Sequence, residues 1–420
     1  MVYLHVPFCE NFCTYCGFFS VVPGQNIRAC FEEYADSVCN EIAARCEEIA
    51  ATSSVNTLYI GGGTPSVLPL DVLSRIVTFL YSIGGSFRMQ PEGAVPPNPP
   101  RSALRPVSPA ASHPFMWPRA ATGSAGTPLR DCMNNNPSWE EFTIEVNPED
   151  IVEKGEEYVR GLMGLGVNRV SMGIQSFDDG ILRWMNRRHT SSGAEEAFKI
   201  LRRCGVDNIS VDLIFGLSQL EDATWTDTIE KTLSLGPEHI SAYQLSIEED
   251  SVLEKLIEKG KYVEASDEQC RRQYDILCER LQEAGYHHYE ISNFAIPGRE
   301  AVHNSAYWRR VPYVGLGPGA HSLSPNGVRS WNNCSVSKYS REEEILSPED
   351  IRIERIMLPL RTDAGLPEAE LRSLAGGEPV DRLLSERALV PVPDLVEGPA
   401  WIRIPEYHFF TSDEIIRELI

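Results

Sequence analysis

A short β-rich apolar run, a polar loop and an amphipathic helix recur in that order along the chain. This recurrence limits the fold more than any other feature of the sequence. The run Val2 to Val6 opens the first unit, and residues 26–49 then space Phe31, Tyr34, Ala35, Val38 and Ile42 as one helix face. Residues 55–60 read as a second strand, followed by Gly61-Gly62-Gly63-Thr64-Pro65 and a helix at 70–82. Further strands are expected at 142–146, 168–173, 208–215 and 239–245, with helices at 151–164, 178–186, 192–204 and 222–234 and charged helices to about 284. Strand-helix alternation predicts an α/β protein with a parallel sheet and helices outside it. Six units are too few for a closed eight-fold barrel and enough for an open, partial (β/α)6 barrel. In such barrels chemistry gathers at the C-terminal ends of the strands. The cysteine loop, Gly62, Glu145, Gln175 and Asp212 all fall at those ends.

Two stretches break the pattern. Between residues 84 and 137 the chain runs through PPNPPRSALRPVSPAASHP and ATGSAGTP, a composition too poor in apolar surface to offset its ordering entropy. Arg101, Arg105, Arg119 and Arg130 make it locally basic. A partner-binding tail is one reading; a disordered surface insertion in one connection is the simpler one. From about 336 to 420, helices at 351–360, 367–374 and 378–386 precede an expected hairpin of 401–404 and 408–410, then a last helix at 412–420. Three helices with a small ribbon make a winged-helix-like module. Its mixed to acidic charge favours an interaction or lid domain over a DNA-binding one. The expected organisation is therefore a barrel over 1–335 and this module over 336–420.

Within the first loop, Cys9, Cys13 and Cys16 form a C-x3-C-x2-C triplet. Three thiolates on one tight loop can hold three irons of a [4Fe-4S] cube and leave the fourth open to a small chelating molecule. Disulfide pairing would leave one of the three cysteines over. Structural zinc wants four ligands, commonly from two C-x2-C knuckles, and only one is present. Coincidence stays open too, because the chain has 11 cysteines. Cys30, Cys39, Cys46, Cys204, Cys270, Cys278 and Cys334 read as ordinary core or surface thiols. The cysteine usage, the absence of a basic-then-apolar leader and the lack of any apolar run near ~20 residues predict a cytoplasmic protein with no transmembrane segment. A net charge of -22 argues against general electrostatic binding of nucleic acid.

S-adenosylmethionine is the molecule that chelates the open iron of such a cluster, and reduction of the cluster breaks one of its carbon-sulfur bonds. A protein using it must hold an ammonium, a carboxylate and an adenosine. The glycines at 61–63 with Thr64 offer close backbone approach to the ammonium. Glu145 and Asp212 can accept from ammonium or ribose hydroxyls, and Arg187 can pair with the carboxylate. Taken singly, each of these side chains reads better as a surface ion pair.

The segments HVPFCENFCTYCGFF, LYIGGGTPS, TIEVNP, RVSMGIQSF, VDLIFGL, HISAYQLSIE, YEISNFA, HNSAYW and GLGPGAHS occur in order. With them the chain resembles the radical S-adenosylmethionine proteins of the oxygen-independent coproporphyrinogen III oxidase group. The likeness spans nearly everything outside the 84–137 insertion and is weakest beyond about 365. In the oxidases a longer N-terminal extension precedes the cysteines, and a fourth cysteine follows two positions after the third. Here Tyr3 stands almost at the start and position 18 is Phe18. The heme chaperone (HemW) branch lacks that cysteine and carries H-N-x-x-Y-W, present here from His303 to Trp308.

The chaperone branch is therefore the better match. It implies a cluster on Cys9, Cys13 and Cys16, and S-adenosylmethionine contacts at Tyr3, Tyr15, Gly62, Gly63, Thr64, Glu145, Gln175, Arg187 and Asp212. It also implies heme as cargo with His303 touching it, an electron donor for the cluster and a heme-accepting protein. The alternative is the oxidase reaction, radical decarboxylation of two propionates to vinyl groups, which would make the chain an enzyme of porphyrin biosynthesis. A third reading is a non-catalytic scaffold with a vestigial cluster site.

Overall fold

The computed structural model describes residues 1–24, 26–52, 55–84, 139–392 and 400–420. The expected insertion at 84–137 therefore lies, but for its first residue, outside the described residues. The strand-helix units are β1 (Val2–Val6), α1 (Ile27–Ala44) and α2 (Cys46–Ala51), β2 (Thr57–Gly62) and α3 (Leu70–Gly84), and β3 (Glu141–Val146) and α4 (Pro148–Gly164). They continue with β4 (Arg169–Gln175), α5 (Asp179–Trp184) and α6 (Ser191–Arg203), then β5 (Ile209–Phe215) and α7 (Asp222–Leu235), and end at β6 (His239–Gln244). These six strands lie in sequence order and pair in parallel, the open barrel that the alternation predicts.

The strands alternate in character because each faces two different environments. Along β4, Val170, Met172 and Ile174 are buried in the apolar core, whereas Arg169, Ser171, Gly173 and Gln175 line the lumen. The same period of two puts Asp212 of β5 and Ser241 and Tyr243 of β6 inside, and sends Val211, Leu213, Ile240 and Ala242 to the core. A parallel sheet covered on both faces would be apolar throughout; this one keeps a polar inner face, as a ligand-holding lumen requires. The register sets Tyr3 beside Tyr59, Glu145 beside Ser171 and Asp212 beside both Gly173 and Ser241. A bulge between Gly173 and Gln175 shifts the end of β4.

After β6 come α8 (Val252–Glu258), α9 (Asp267–Glu283), β7 (His287–Glu290), β8 (Asn293–Ala295), α10 (Val302–Trp308) and β9 (Val314–Leu316). Strand β8 extends the sheet antiparallel to β6, and β9 extends it at the other edge parallel to β1. Helix α10 follows the 141–146 strand's start closely, its first amides donating to Glu141. A second sheet joins β10 (His321–Leu323), β11 (Val328–Asn332) and β12 (Arg341–Ile345). The helical C-terminal part begins with α11 (Pro348–Leu360), opened by a Ser347–Asp350 capping box.

The expected hairpin near the C-terminus does not form. Trp401–Arg403 is a strand, but its partners are Leu366–Pro367 and Val390–Pro391, and residues 406–411 make a 3-10 turn. Pro405 ends the strand, since it has no amide to give a ladder and its φ of -70° suits a helical start. Ile402, Ile404, Phe409, Ile415 and Leu419 join the same apolar core as the barrel. Among the described residues no helix is long and apolar enough to cross a membrane.

Candidate functional site

The loop between β1 and α1 is fastened at both sides. The amides of Gly63 and Thr64 donate to the carbonyls of Val6 (2.8 Å) and Phe8 (2.7 Å). Across the mouth, Thr14 donates its amide to the Met185 carbonyl and its hydroxyl to the Trp184 carbonyl (2.7 Å), and it accepts from the Leu253 amide (2.8 Å). Asn11 and Asn186 exchange side-chain bonds with the backbone of the opposite loop. The cysteine loop is thus a strap between β1, the β4–α6 connection and α8.

Below it lies a cavity of about 530 Å³. It gathers eleven of the thirteen residues named from the sequence: the three cysteines, Tyr15, Gly62, Gly63, Thr64, Glu145, Gln175, Arg187 and Asp212. Two stay out. Tyr3 points along the strand to His5, its hydroxyl 3.0 Å from Nδ1, and does not line the cavity. His303 is 1% exposed and has both ring nitrogens engaged, Nδ1 with Thr57 Oγ1 at 2.8 Å and Nε2 with the Tyr307 hydroxyl at 3.0 Å. With both ring nitrogens engaged, His303 lies outside this cavity. Its neighbour Asn304 faces the cavity instead.

Each cavity residue is held for a physical reason. Gly62 has φ +113°, and a Cβ there would lie 2.5 Å from the His5 ring; at Gly63 it would lie 2.8 Å from the Phe8 carbonyl oxygen. The glycines therefore serve packing against the cysteine loop as well as any ligand. Gln175 takes φ +68°, rare for a side-chain-bearing residue, where the bulge turns it to the lumen. Arg187 Nη2 donates to Asn147 Oδ1 (2.7 Å) and the Gly173 carbonyl (2.8 Å), Nη1 lies 3.5 Å from Cys13 Sγ, and buried Nε has no partner. Glu145 accepts from the Tyr59 hydroxyl (2.7 Å) and the Gly62 amide (3.1 Å), and Asp212 from Ser171 (3.1 Å).

Burial pushes the Glu145 carboxyl up to about 7, the Tyr59 hydrogen bond opposing it and the Asp212 charge adding to it. Burial raises Asp212 as well. The Cys16 thiol is pushed up to about 11 by burial, and Cys9 is raised by burial against a hydrogen bond from Thr64, whose Oγ1 is 3.4 Å from Sγ. Raised acids in a closed lumen are the groups a bound cation would ionise. The three thiols are free of disulfides and share one cavity wall. Among the described residues no three His, Cys, Asp or Glu side chains are arranged to hold a single metal ion. A cube asks something different, one thiolate for each of three irons, and this donor set fits that demand. Unpartnered Arg187 Nε and the raised carboxyls of Glu145 and Asp212 fit a zwitterionic ligand beside it.

Sequence reasoning missed Tyr59, Asn147, Arg169, Ser171, Ser241, Tyr243 and Asn304, all of which line the cavity. Stepping back by two from Gln175 would have found Ser171 and Arg169, because inward residues recur with that period. Asn304 lies in the H-N-x-x-Y-W motif, but strand periodicity gives no sign that α10 brings it to the lumen.

Residues 3–232 match the Radical SAM superfamily. The chain is similar to the heme chaperone HemW of Synechocystis, 30% identical over 386 residues that cover 89% of this chain and 80% of the relative. It is also 30% identical to the heme chaperone HemW of Bacillus subtilis over 407 residues, 92% of each. Among solved structures, coproporphyrinogen III oxidase (HemN) from Escherichia coli shares the fold with a TM-score of 0.68 at 19% identity, covering 100% of this chain and 89% of that one.

Proposed function

Because the chain belongs to the radical S-adenosylmethionine superfamily, and within it to the HemW group, we propose that it binds heme and passes it to a heme-requiring protein. The observation that carries this reading is the likeness, over 89% and 92% of the chain, to relatives named heme chaperones. In the same reading Cys9, Cys13 and Cys16 hold a [4Fe-4S] cluster, and Gly62, Gly63, Thr64, Glu145, Gln175, Arg187 and Asp212 receive S-adenosylmethionine. When bound and reduced, such a cluster supplies an electron to the sulfonium.

The chain's own residues have separable tasks. Arg187 joins the cysteine loop to the end of β4 through Cys13, Asn147 and Gly173. Glu145, steered by Tyr59 and the Gly62 amide, presents a carboxylate to an ammonium. The strap contacts of Thr14 close one side of the lumen against water. An electron donor and a heme acceptor belong to the proposal. Phe18, 71% exposed where an oxidase has cysteine, supports heme handling over decarboxylation.

Titration of hemin into the anaerobically reconstituted full chain tests the reading. Binding in the micromolar range or tighter is expected, and a wild type that binds no hemin ends it. Anaerobic turnover of coproporphyrinogen on the same sample, with a reducible cluster, is expected to give no protoporphyrinogen.

A further inference from the structure

A buried charge is tolerated when it is paired and hydrogen-bonded, and Arg45 shows how this chain meets that demand. It is 7% exposed and donates to Glu41 (2.9 Å), Glu48 (2.8 Å), the Ser322 hydroxyl (3.0 Å) and the Gly315 carbonyl (2.7 Å). Arg169 is buried deeper still, at 1% exposed, and breaks the pattern. Its Nε has no partner, and neither terminal nitrogen donates to any described residue. Among the described residues no carboxylate oxygen lies within 4.0 Å of its guanidinium. A structural arginine would be saturated as Arg45 is.

Arg169 lines the lumen cavity from its floor. It opens β4, six residues before Gln175, and so starts roughly 20 Å below the strand end at about 3.3 Å per residue. The carboxylate of S-adenosylmethionine belongs at that strand end, beside the cluster cysteines and Arg187, and does not account for Arg169. Thr143 of β3 is the register partner of Arg169, and the period of two turns it inward below Glu145. Its hydroxyl oxygen is buried and likewise unpartnered. Two neighbouring donors on the floor thus lack an acceptor.

The two lumen acids do not supply it. Glu145 is taken up by the Tyr59 hydroxyl and the Gly62 amide, and Asp212 by Ser171. Burial raises both carboxyls, and the Arg169 charge opposes that rise from beyond pairing distance. A planar guanidinium fork with a hydroxyl beside it suits a carboxylate brought by a ligand. Asn304 of α10 lines the same cavity, so a ligand that reaches the floor also meets the helix that carries His303. Heme brings two propionate carboxylates on one edge of its macrocycle.

We infer that Arg169 and Thr143 form a carboxylate subsite on the lumen floor that takes a propionate of the tetrapyrrole, an inference that rests on the heme-binding reading above. The contact is separate from whichever side chain ligates the iron. The test titrates hemin and its dimethyl ester, whose propionates carry no charge, into the cluster-reconstituted full chain. Arg169→Met should weaken hemin about tenfold or more and the ester less than about twofold. Thr143→Val should weaken hemin about threefold and again spare the ester. Comparing two ligands on each protein cancels what esterification does to stacking and solubility. Affinity for S-adenosylmethionine should stay at the wild-type value in both variants. Removing an unpaired buried charge should keep or raise the urea midpoint of Arg169→Met. If that variant does not fold, Arg169→Lys keeps the charge without the fork, and should bind hemin about threefold more weakly and the ester as before. Unchanged hemin affinity overturns the inference, as does loss of S-adenosylmethionine binding in its place. Equal weakening of hemin and ester, with a lowered midpoint, would make Arg169 structural and overturn it too. A wild type that binds neither tetrapyrrole overturns the heme reading itself.

Discussion

The Arg187 guanidinium reaches the Cys13 sulfur at 3.5 Å with one nitrogen while the other is fixed to Asn147 and the Gly173 carbonyl. One side chain thus ties the cysteine loop to the strand end that presents Gln175. Lysine keeps the charge but cannot span three acceptors with one ammonium. Arg187→Lys should therefore weaken S-adenosylmethionine binding about tenfold and cost about 2 kcal/mol of stability, with iron content unchanged. Calorimetric binding, urea denaturation and iron analysis check the three parts. Unchanged affinity would remove Arg187 from the ligand site.

Glu145 should make ligand binding pH-dependent. Its carboxyl is pushed up to about 7, mainly by burial, so the empty site holds a neutral acid below that pH and a carboxylate above it. A ligand ammonium prefers the carboxylate, so affinity for S-adenosylmethionine should rise as pH increases from 6 to 8. The gain approaches about tenfold per unit on the acid side. Glu145→Gln should flatten the profile. Tyr59→Phe removes a hydrogen bond that favours the charged form, and should move the rising limb to higher pH. An unshifted limb in Tyr59→Phe would show that Tyr59 does not steer this carboxylate.

Gly62 tests how tightly the two loops are packed. Alanine there must adopt φ +113° and place its Cβ 2.5 Å from the His5 ring, which is itself pinned by Tyr3 and the Phe19 carbonyl. Strain and clash together should cost about 2–3 kcal/mol, seen as a lower urea midpoint at unchanged slope. Gly24, with no atom within 4 Å of a Cβ and φ outside the left-handed region, should tolerate alanine within about 0.5 kcal/mol. Equal effects at the two glycines would contradict the packing account.

Much of this architecture is legible in the amino-acid sequence. The six strand-helix units were readable because each strand's outward side is apolar, and Gly62, Glu145 and Gln175 because they sit at or near the C-terminal ends of β2, β3 and β4; Asp212 stands in the middle of β5. Tyr3 and His303 stand outside the cavity lining for a shared reason. Both lie on elements that point into the barrel, but below the ligand cavity, where hydroxyl and imidazole groups satisfy one another. Local sequence cannot tell a lumen floor from a lumen wall. The C-terminal ribbon failed for a different reason: Trp401–Arg403 finds partners at 366–367 and 390–391, and pairings of that span leave no local signature.

The motif from His303 to Trp308 has a structural duty that pH can expose. Trp308 and Asn293 donate to Glu290, which also accepts from the Ser292 amide at 3.2 Å and is 1% exposed. Burial pushes this carboxyl from the usual 4.5 up to about 7 in spite of those bonds. The folded state therefore holds the proton more tightly than the unfolded chain. The resulting stability is fully present below about pH 4.5 and is lost as pH rises through about 7. At 1.36 kcal/mol per pKa unit the loss reaches about 3 kcal/mol. Glu145 and Asp150, raised to about 7 and about 6, slope the same way, so a difference measurement is needed. Glu290→Gln keeps a hydrogen-bonding side chain without the titration. Urea unfolding of both proteins from pH 5 to 8 should show the variant gaining on wild type as pH increases. A stability difference that stays constant over that range would mean Glu290 does not carry a proton into the folded barrel.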